Sequence, residues 1–348
     1  MQRLNSAVVR SVWVAVVAAV VPAAEAEWVT DFWDGFGGTN GLNLNKWAYD
    51  RTDGEEDITR GWASTTAAQA NPSFRDARNV ADAVSVQNGI LSIRTYTGTN
   101  IDPQTGQAEH KTGRIRSREE FRRGRFSAKM RFNSQPGMWS AFWLTSRSVS
   151  QNASGNWVQD PKRDGVEVDV VEHRAVDNRG RPVDDIMHSA LHWNGYANRT
   201  GANQNKPDYW GHQNAHIDHT VSDMSRWHTY AVEWWGGRYV FFVDGQEVWR
   251  TNDVDVTSPT NLGDAVVSNI DQYMLLTSEV WLNRWAGNPP TGGYGALGAS
   301  TNGLLEVDWV KHEYWDPTAV SAVPEPSIAA LGLGVGLAFP YRRRASAA

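Results

Sequence analysis

Cysteine is absent from all 348 residues. Neither a disulfide framework nor a thiolate metal site is therefore available. Stability must come from a hydrophobic core, which a chain of this length with 41% hydrophobic residues can build in one or two domains. Also missing is any apolar run of the roughly 18–20 residues that a membrane-spanning helix needs. Amphipathic helical periodicity is absent from the interior of the chain, and so is any surplus of positive charge: 33 Lys and Arg stand against 39 Asp and Glu. What the chain has in abundance is tryptophan, 18 residues, several times an ordinary share.

Both ends read as processing segments. Residues 1–26 carry Arg3 and Arg10, an apolar run from Val12 to Val21, and Ala24-Glu25-Ala26 as a small-x-small cleavage site, the pattern of a secretory signal peptide. Residues 319–348 contain Val323-Pro-Glu-Pro-Ser327, an apolar stretch from Ile328 to Phe339, and Tyr341-Arg-Arg-Arg344. That order resembles the bacterial PEP-CTERM sorting signal. The resemblance implies exosortase-type processing, transient membrane association, and a secreted or cell-surface destination. Residues 27–318 remain as the working domain. Removal of both ends leaves 28 basic and 37 acidic residues, a net charge of −9, which argues against a nucleic-acid partner.

The working domain reads as strands. Asp31 to Phe36 and Asn43 to Trp47 form an aromatic entry strand and a turn, and 50–82 reads as loop with Trp62 and Phe74 as rim aromatics. Ala83 to Gln87, the Asn88-Gly89 turn and Ile90 to Tyr96 form a hairpin with a strong turn signal. Asn100 to Lys111 reads as polar loop. Phe126, Ala128, Met130 and Phe132 alternate with Arg125, Ser127, Lys129 and Arg131, and Arg114, Arg116 and Arg118 make a similar row. Such rows either hold anionic groups of a ligand or pair with acids across strands. In Gly137-Met-Trp-Ser-Ala-Phe-Trp-Leu144, Trp139, Ala141 and Trp143 share one face. Two tryptophans there make either core or a platform for the apolar faces of a sugar ring. His188, Ala190 and His192 share a face of Met187 to Trp193. His212, His216 and His219 lack the spacing of a zinc site. Trp227 to Gly245 forms another hairpin, Tyr273 to Trp281 a strand, and Gly303 to Tyr314 the last, with Leu305, Val307 and Trp309 on one face. Many short strands without intervening helices predict an all-β, two-sheet antiparallel sandwich.

The most informative stretch is Gly165-Val-Glu-Val-Asp-Val-Val-Glu-His173. Glu167 and Asp169 point to one side of a strand and Val166, Val168 and Val170 to the other. Strict alternation would then send Glu172 into the valine layer. A β-bulge at Val170-Val171 brings it out beside Asp169 instead. Acids so crowded raise at least one pKa among them, as a general acid working near neutral pH requires. The two glutamates are then roughly 13 Å apart along the backbone, and inward-leaning side chains approach the ~5 Å of a pair built for direct nucleophilic attack. The bland alternative is a solvated strand face.

Taken together, Asn43 to Trp47, Gly113 to Ser117, Gly124 to Ala128, Gly137 to Leu144, Glu167 to Glu172, Trp227 to Trp234 with Val243-Asp-Gly245, and Val307-Asp308-Trp309 resemble glycoside hydrolase family 16 over the whole working domain. The resemblance implies a concanavalin A-like β-jelly roll with a long concave substrate cleft. Transferred by position, Glu167 is the nucleophile, Glu172 the acid/base and Asp169 the orienting residue between them. The bulged motif is associated with laminarinases, agarases, porphyranases and carrageenases. Trp139, Trp143, His192 and its neighbour Trp193 are placed at the substrate. Glu279 and Trp281 stand where the family often carries Asn-Leu-Ala-Val-Gly-Gly, and so reshape one subsite. No cofactor is required; the candidate cation is a structural calcium at Asp34 and Asp308. The expected activity is endo-acting, retaining hydrolysis by a monomer, with laminarin-type β-1,3-glucan placed ahead of agar, porphyran and carrageenan as substrate. A transglycosylase, or a carbohydrate-binding module that has lost turnover, stands as the alternative.

Overall fold

The computed structural model describes residues 27–38, 41–49, 77–101, 106–146, 165–193, 213–235, 237–251, 267–281 and 285–318. Residues 1–26 and 319–348, read above as processing segments, lie outside them, as do Trp62, Phe74 and His212. Residues 28–315 form one compact unit. Among the described residues no helix is long and apolar enough to cross a membrane.

The strands are β1 (Glu27–Asp34), β2 (Trp47–Tyr49), β3 (Ala77–Asn79), β4 (Val84–Gln87), β5 (Ile90–Ile101), β6 (Ala108–Thr112), β7 (Arg114–Ser117), β8 (Gly124–Asn133), β9 (Met138–Thr145), β10 (Glu167–Arg174), β11 (Ile186–Trp193), β12 (Gln213–Thr220), β13 (His228–Trp235), β14 (Arg238–Val243), β15 (Gln246–Arg250), β16 (Tyr273–Val280) and β17 (Gly303–Asp316). They build two sheets. One runs β15-β14-β13-β8-β17-β5-β6-β3, with β1 also on β17 and β4 on β5; the other runs β12-β11-β10-β9-β16-β7-β2. Along both runs, and between β4 and β5, pairing is antiparallel except between β3 and β6, which are parallel.

Alternation fills the space between the sheets. Phe126, Met130 and Phe132 from β8, Tyr230, Val232 and Trp234 from β13, and Phe241 from β14 face Phe142, Leu144, Val168, Leu191, Met274 and Leu276 from the second sheet in one buried cluster. The Asn88-Gly89 and Asp244-Gly245 turns have φ of 53° and 76°, and 48° and 77°, the left-handed pairs that two-residue hairpins require. The core thus forms a jelly-roll sandwich whose seven-stranded sheet leaves one face turned away from the interior.

Two readings need correction, and one strand is an addition to them. Asn100 to Lys111 is not all loop, because β5 runs on to Ile101 and β6 begins at Ala108. The segment that carries His216 and His219 is an edge strand, β12, which among the described residues pairs with β11 alone. In β17 the register shifts between Val307 and Trp309, so Val310 joins Leu305 and Val307 in the core, while Trp309 stacks on Trp33 with centroids 5.3 Å apart.

Candidate active site

β10 lies between β9 and β11 in the seven-stranded sheet. Its pairing with both neighbours slips between Asp169 and Glu172. The two-for-one count puts Val170 and Val171 both in the core and returns Glu172 to the face that carries Glu167 and Asp169. Ser189, fully buried on β11, donates its hydroxyl to the Val170 carbonyl at 2.7 Å, satisfying an acceptor at the kink. The register then sets His192 opposite Glu167, His188 opposite Glu172, Trp143 opposite Asp169 and Ala141 opposite Glu172.

The crowded carboxylates meet a cation. His192 Nε2 lies 3.4 Å from Asp169 Oδ2 and 4.0 Å from Glu167 Oε1. Burial opposes charge on that ring, but the Asp169 hydrogen bond and the charges of Glu167 and Asp169 outweigh it and lift the ring to about 9. Ligand atoms of Glu167, Asp169 and His192 lie within 4.8 Å of one another. A ring that keeps its proton supplies positive charge to both carboxylates. On the other side, His188 Nδ1 lies 2.6 Å from Asp218 Oδ1 and its Nε2 4.0 Å from Glu172 Oε2.

Aromatic walls flank the acids. Ala141, Trp143, Tyr273 and Leu275 form a small apolar cluster separate from the main core. The Arg114 guanidinium lies 4.8 Å over the Trp143 ring and that of Arg116 5.4 Å over Tyr273. Arg114 also bonds Glu279 at 3.2 Å, and the Trp143 indole donates to Thr277 Oγ1 at 3.1 Å. Toward Glu172, Trp139 packs against Trp281 and Trp285, each with centroids 5.8 Å away. Arg174 covers Trp285 at 4.0 Å and donates to its carbonyl at 3.1 Å. The lead-in to β9 holds this wall: Gly137 donates to the Ala286 carbonyl at 2.7 Å, and a Cβ there would fall 2.3 Å from the Pro289 nitrogen.

A bulged strand of acids bordered by indoles on a jelly-roll sheet agrees with the sequence comparison. The profile described as "Beta-porphyranase A-D, GH16 domain" matches residues 27–314. The chain belongs to this family. A curated relative of the GH16 domain is the endo-1,3-1,4-beta-glycanase ExsH of Rhizobium meliloti (strain 1021), 24% identical over 244 residues, which are 69% of this chain and 41% of the relative. The chain thus spans less than half the length of that protein. Porphyranase B from Zobellia galactanivorans shares the fold at a TM-score of 0.59 and 18% identity, covering 84% of this chain and 97% of that one. The endo-β-1,3-glucanase from Pyrococcus furiosus does so at 0.58 and 18%, covering 86% and 99%.

Within the GH16 domain, Glu167, Asp169, Glu172, Trp139, Trp143, His192 and Glu279 come together on the outer face of the seven-stranded sheet, with Trp281 against Trp139. Trp193 does not join them. It follows His192 on an unkinked strand, so alternation turns it inward, where it is buried in the main core. Of the calcium candidates, Asp34 Oδ1 accepts from the Phe36 amide at 2.9 Å and Oδ2 from the Trp47 indole at 2.8 Å, while Asp308 pairs with Lys129 at 2.8 Å.

The basic row of β8 likewise pairs across strands, Arg125 with Glu233 and Arg131 with Glu306. Trp285, Arg174 and Ser189 are the residues that motif reading missed. Trp285 lies outside any strand and so outside any periodic signal. Arg174 was legible: two positions beyond Glu172, it shares the acids' face.

Proposed function

We propose that this GH16 domain is a retaining endo-glycosidase that cuts internal β-linkages of a polysaccharide. The observation that carries the reading is the β10 bulge, which puts Glu167 and Glu172 on one face with His192 and His188 opposite them. Glu172 gives its proton to the glycosidic oxygen as Glu167 attacks the anomeric carbon, and the leaving chain departs with that proton. Water then attacks the glycosyl-Glu167 ester, giving its proton to Glu172, so the anomeric configuration is retained. Asp169 holds His192, whose charge favours the ionised form of Glu167 needed for attack. Trp139, Trp143, Trp281 and Trp285 supply surfaces on which pyranose rings stack, and Glu279 with Arg114 closes one side.

The family match supports a galactan of the porphyran type over the β-1,3-glucan that sequence reading places first. No cation is needed for the chemistry. Export through residues 1–26, exosortase-type handling of residues 319–348, and action as a monomer at the cell surface complete the proposal.

The test is reducing-sugar release and product sizing on porphyran, agarose, laminarin, carrageenan and mixed-linkage glucan. Internal cleavage of one of them, lost by at least about a thousandfold in Glu167→Gln and in Glu172→Gln, is the expected result. Binding without release by the wild-type protein would instead identify a non-hydrolytic module.

A further inference from the structure

β11 presents two histidines to the acids, one opposite each glutamate, and the two are held in different ways. His192 lies against the carboxylates of Glu167 and Asp169 and carries a proton for them. His188 has its anionic partner behind it: Asp218 on β12, 2.6 Å from Nδ1. A carboxylate accepts only, so the single proton of a neutral His188 ring sits on Nδ1, and Nε2 turns its lone pair toward Glu172 Oε2 at 4.0 Å. A lone pair in that place welcomes the carboxylic acid, which can donate to it, and repels the carboxylate.

We propose that His188, locked by Asp218, is a positioning residue that keeps Glu172 in its protonated form for the first step of the reaction. The proposal rests on the assignment of Glu172 as the general acid. Among the described residues, the charged and titratable groups facing this ring are Glu172, Asp169 and Arg174 from β10 and Asp218 and His216 from β12; Trp285 packs on it with centroids 5.3 Å apart. Burial outweighs the pull of Asp218 and Asp169, aided by His216, and holds the ring below its ordinary value, which keeps it neutral at neutral pH. Arg174 works the other way, since its charge favours the Glu172 carboxylate. His188 therefore offsets Arg174 at the residue that must start protonated and end as a base.

The experiment is the pH profile of kcat/KM on the polysaccharide that the wild-type protein cleaves best, for wild type, His188→Gln and Asp218→Asn, with Glu167→Gln and Glu172→Gln as controls. The alkaline limb reports loss of the acid's proton in the free enzyme. In both test variants it is expected to move about one pH unit toward acid, with activity near the acid optimum largely kept. Hydrolysis of an aryl glycoside with a nitrophenolate leaving group, which needs little protonation, is expected to lose less than polysaccharide cleavage. Asp218 is about half exposed on an edge strand, so Asp218→Asn is readable even where His188→Gln impairs folding. Limbs that superimpose on wild type, with only a uniform fall in kcat/KM, overturn the role while leaving the catalytic assignment intact. Full activity in Glu167→Gln and Glu172→Gln would overturn both.

Discussion

Trp139 and Trp193 are buried to the same degree, each 5% exposed, yet they face opposite sides of one sheet. Trp139 meets Trp281 and Trp285 beside the acids; Trp193 fills the space between the sheets. Their truncation should therefore fail in different currencies. Trp193→Ala is expected to cost about 3–5 kcal/mol of stability, as large-to-small changes in a core do, with kcat/KM per folded molecule close to wild type. Trp139→Ala is expected to lower kcat/KM about tenfold or more with the smaller drop in melting temperature. Denaturant melts beside active-site-normalised kinetics separate the two, and the reverse pattern would move the substrate to the other face. Residue-level legibility follows the same line. Parity along a strand assigns Trp139, Trp143 and His192 to the acids' side and equally assigns Trp193 away from it; nearness in sequence to His192 was the misleading signal. Trp285 obeys no parity, because a connecting segment held by Gly137 and Arg174 delivers it.

At the scale of the element, the two-for-one bulge decides whether Glu172, five residues after Glu167, lies on the open face of β10 or in the valine layer. Inserting one more valine after Val171 while the bulge persists shifts Glu172 by one step of the pleat and drives it toward the valine layer, so activity should fall at least about a thousandfold, as for loss of the acid itself. Ser189→Ala is the milder version. It strands the Val170 carbonyl in a dry site, at a cost of about 1–3 kcal/mol, and loosens the kink that aims Glu172. Thermal melts and kcat measured together check both, and a Ser189→Ala protein with unchanged stability would show that the hydroxyl does not support the bulge. The β10 bulge was readable because three acids among valines make an unkinked strand untenable. The β17 bulge was not, because Val307-Asp308-Trp309-Val310 offers an apolar residue to the core in either register. Strands with Asn-Gly or Asp-Gly turns announced themselves. β12 did not: as an edge strand it exposes Asn214, His216 and Asp218, and only Ala215 is packed against the main core.

Across the whole molecule, the two sheets are joined by a titratable group as well as by hydrocarbon. His173, on the inward side of β10, stacks on Phe132 of β8 with centroids 4.8 Å apart. Its Nδ1 meets Ser134 Oγ at 2.8 Å and its Nε2 the Asp184 carbonyl at 2.9 Å. Burial holds this ring at about 4, against the pull of the Asp184 carbonyl and charge. Below the ordinary histidine value of about 6.5, the unfolded chain takes up a proton that the folded one refuses. The stability due to a neutral His173 is therefore complete above about 6.5 and is lost as pH falls toward 4, roughly 3 kcal/mol over that window. His192 has the opposite sign: raised to about 9, it contributes fully below about 6.5 and its contribution fades as pH climbs through 9. Asp177, held at about 2 by its hydrogen bonds from Arg181, titrates below both windows. Stability should thus peak near pH 6–7 and fall on either side. Urea unfolding of His173→Gln between pH 4 and 7 is expected to give a flatter acid limb than wild type, and His192→Gln a flatter alkaline limb between pH 7 and 10. An acid limb unchanged in His173→Gln would mean that the proton taken up on acid unfolding goes to some other group, and that the contact between the sheets is indifferent to charge.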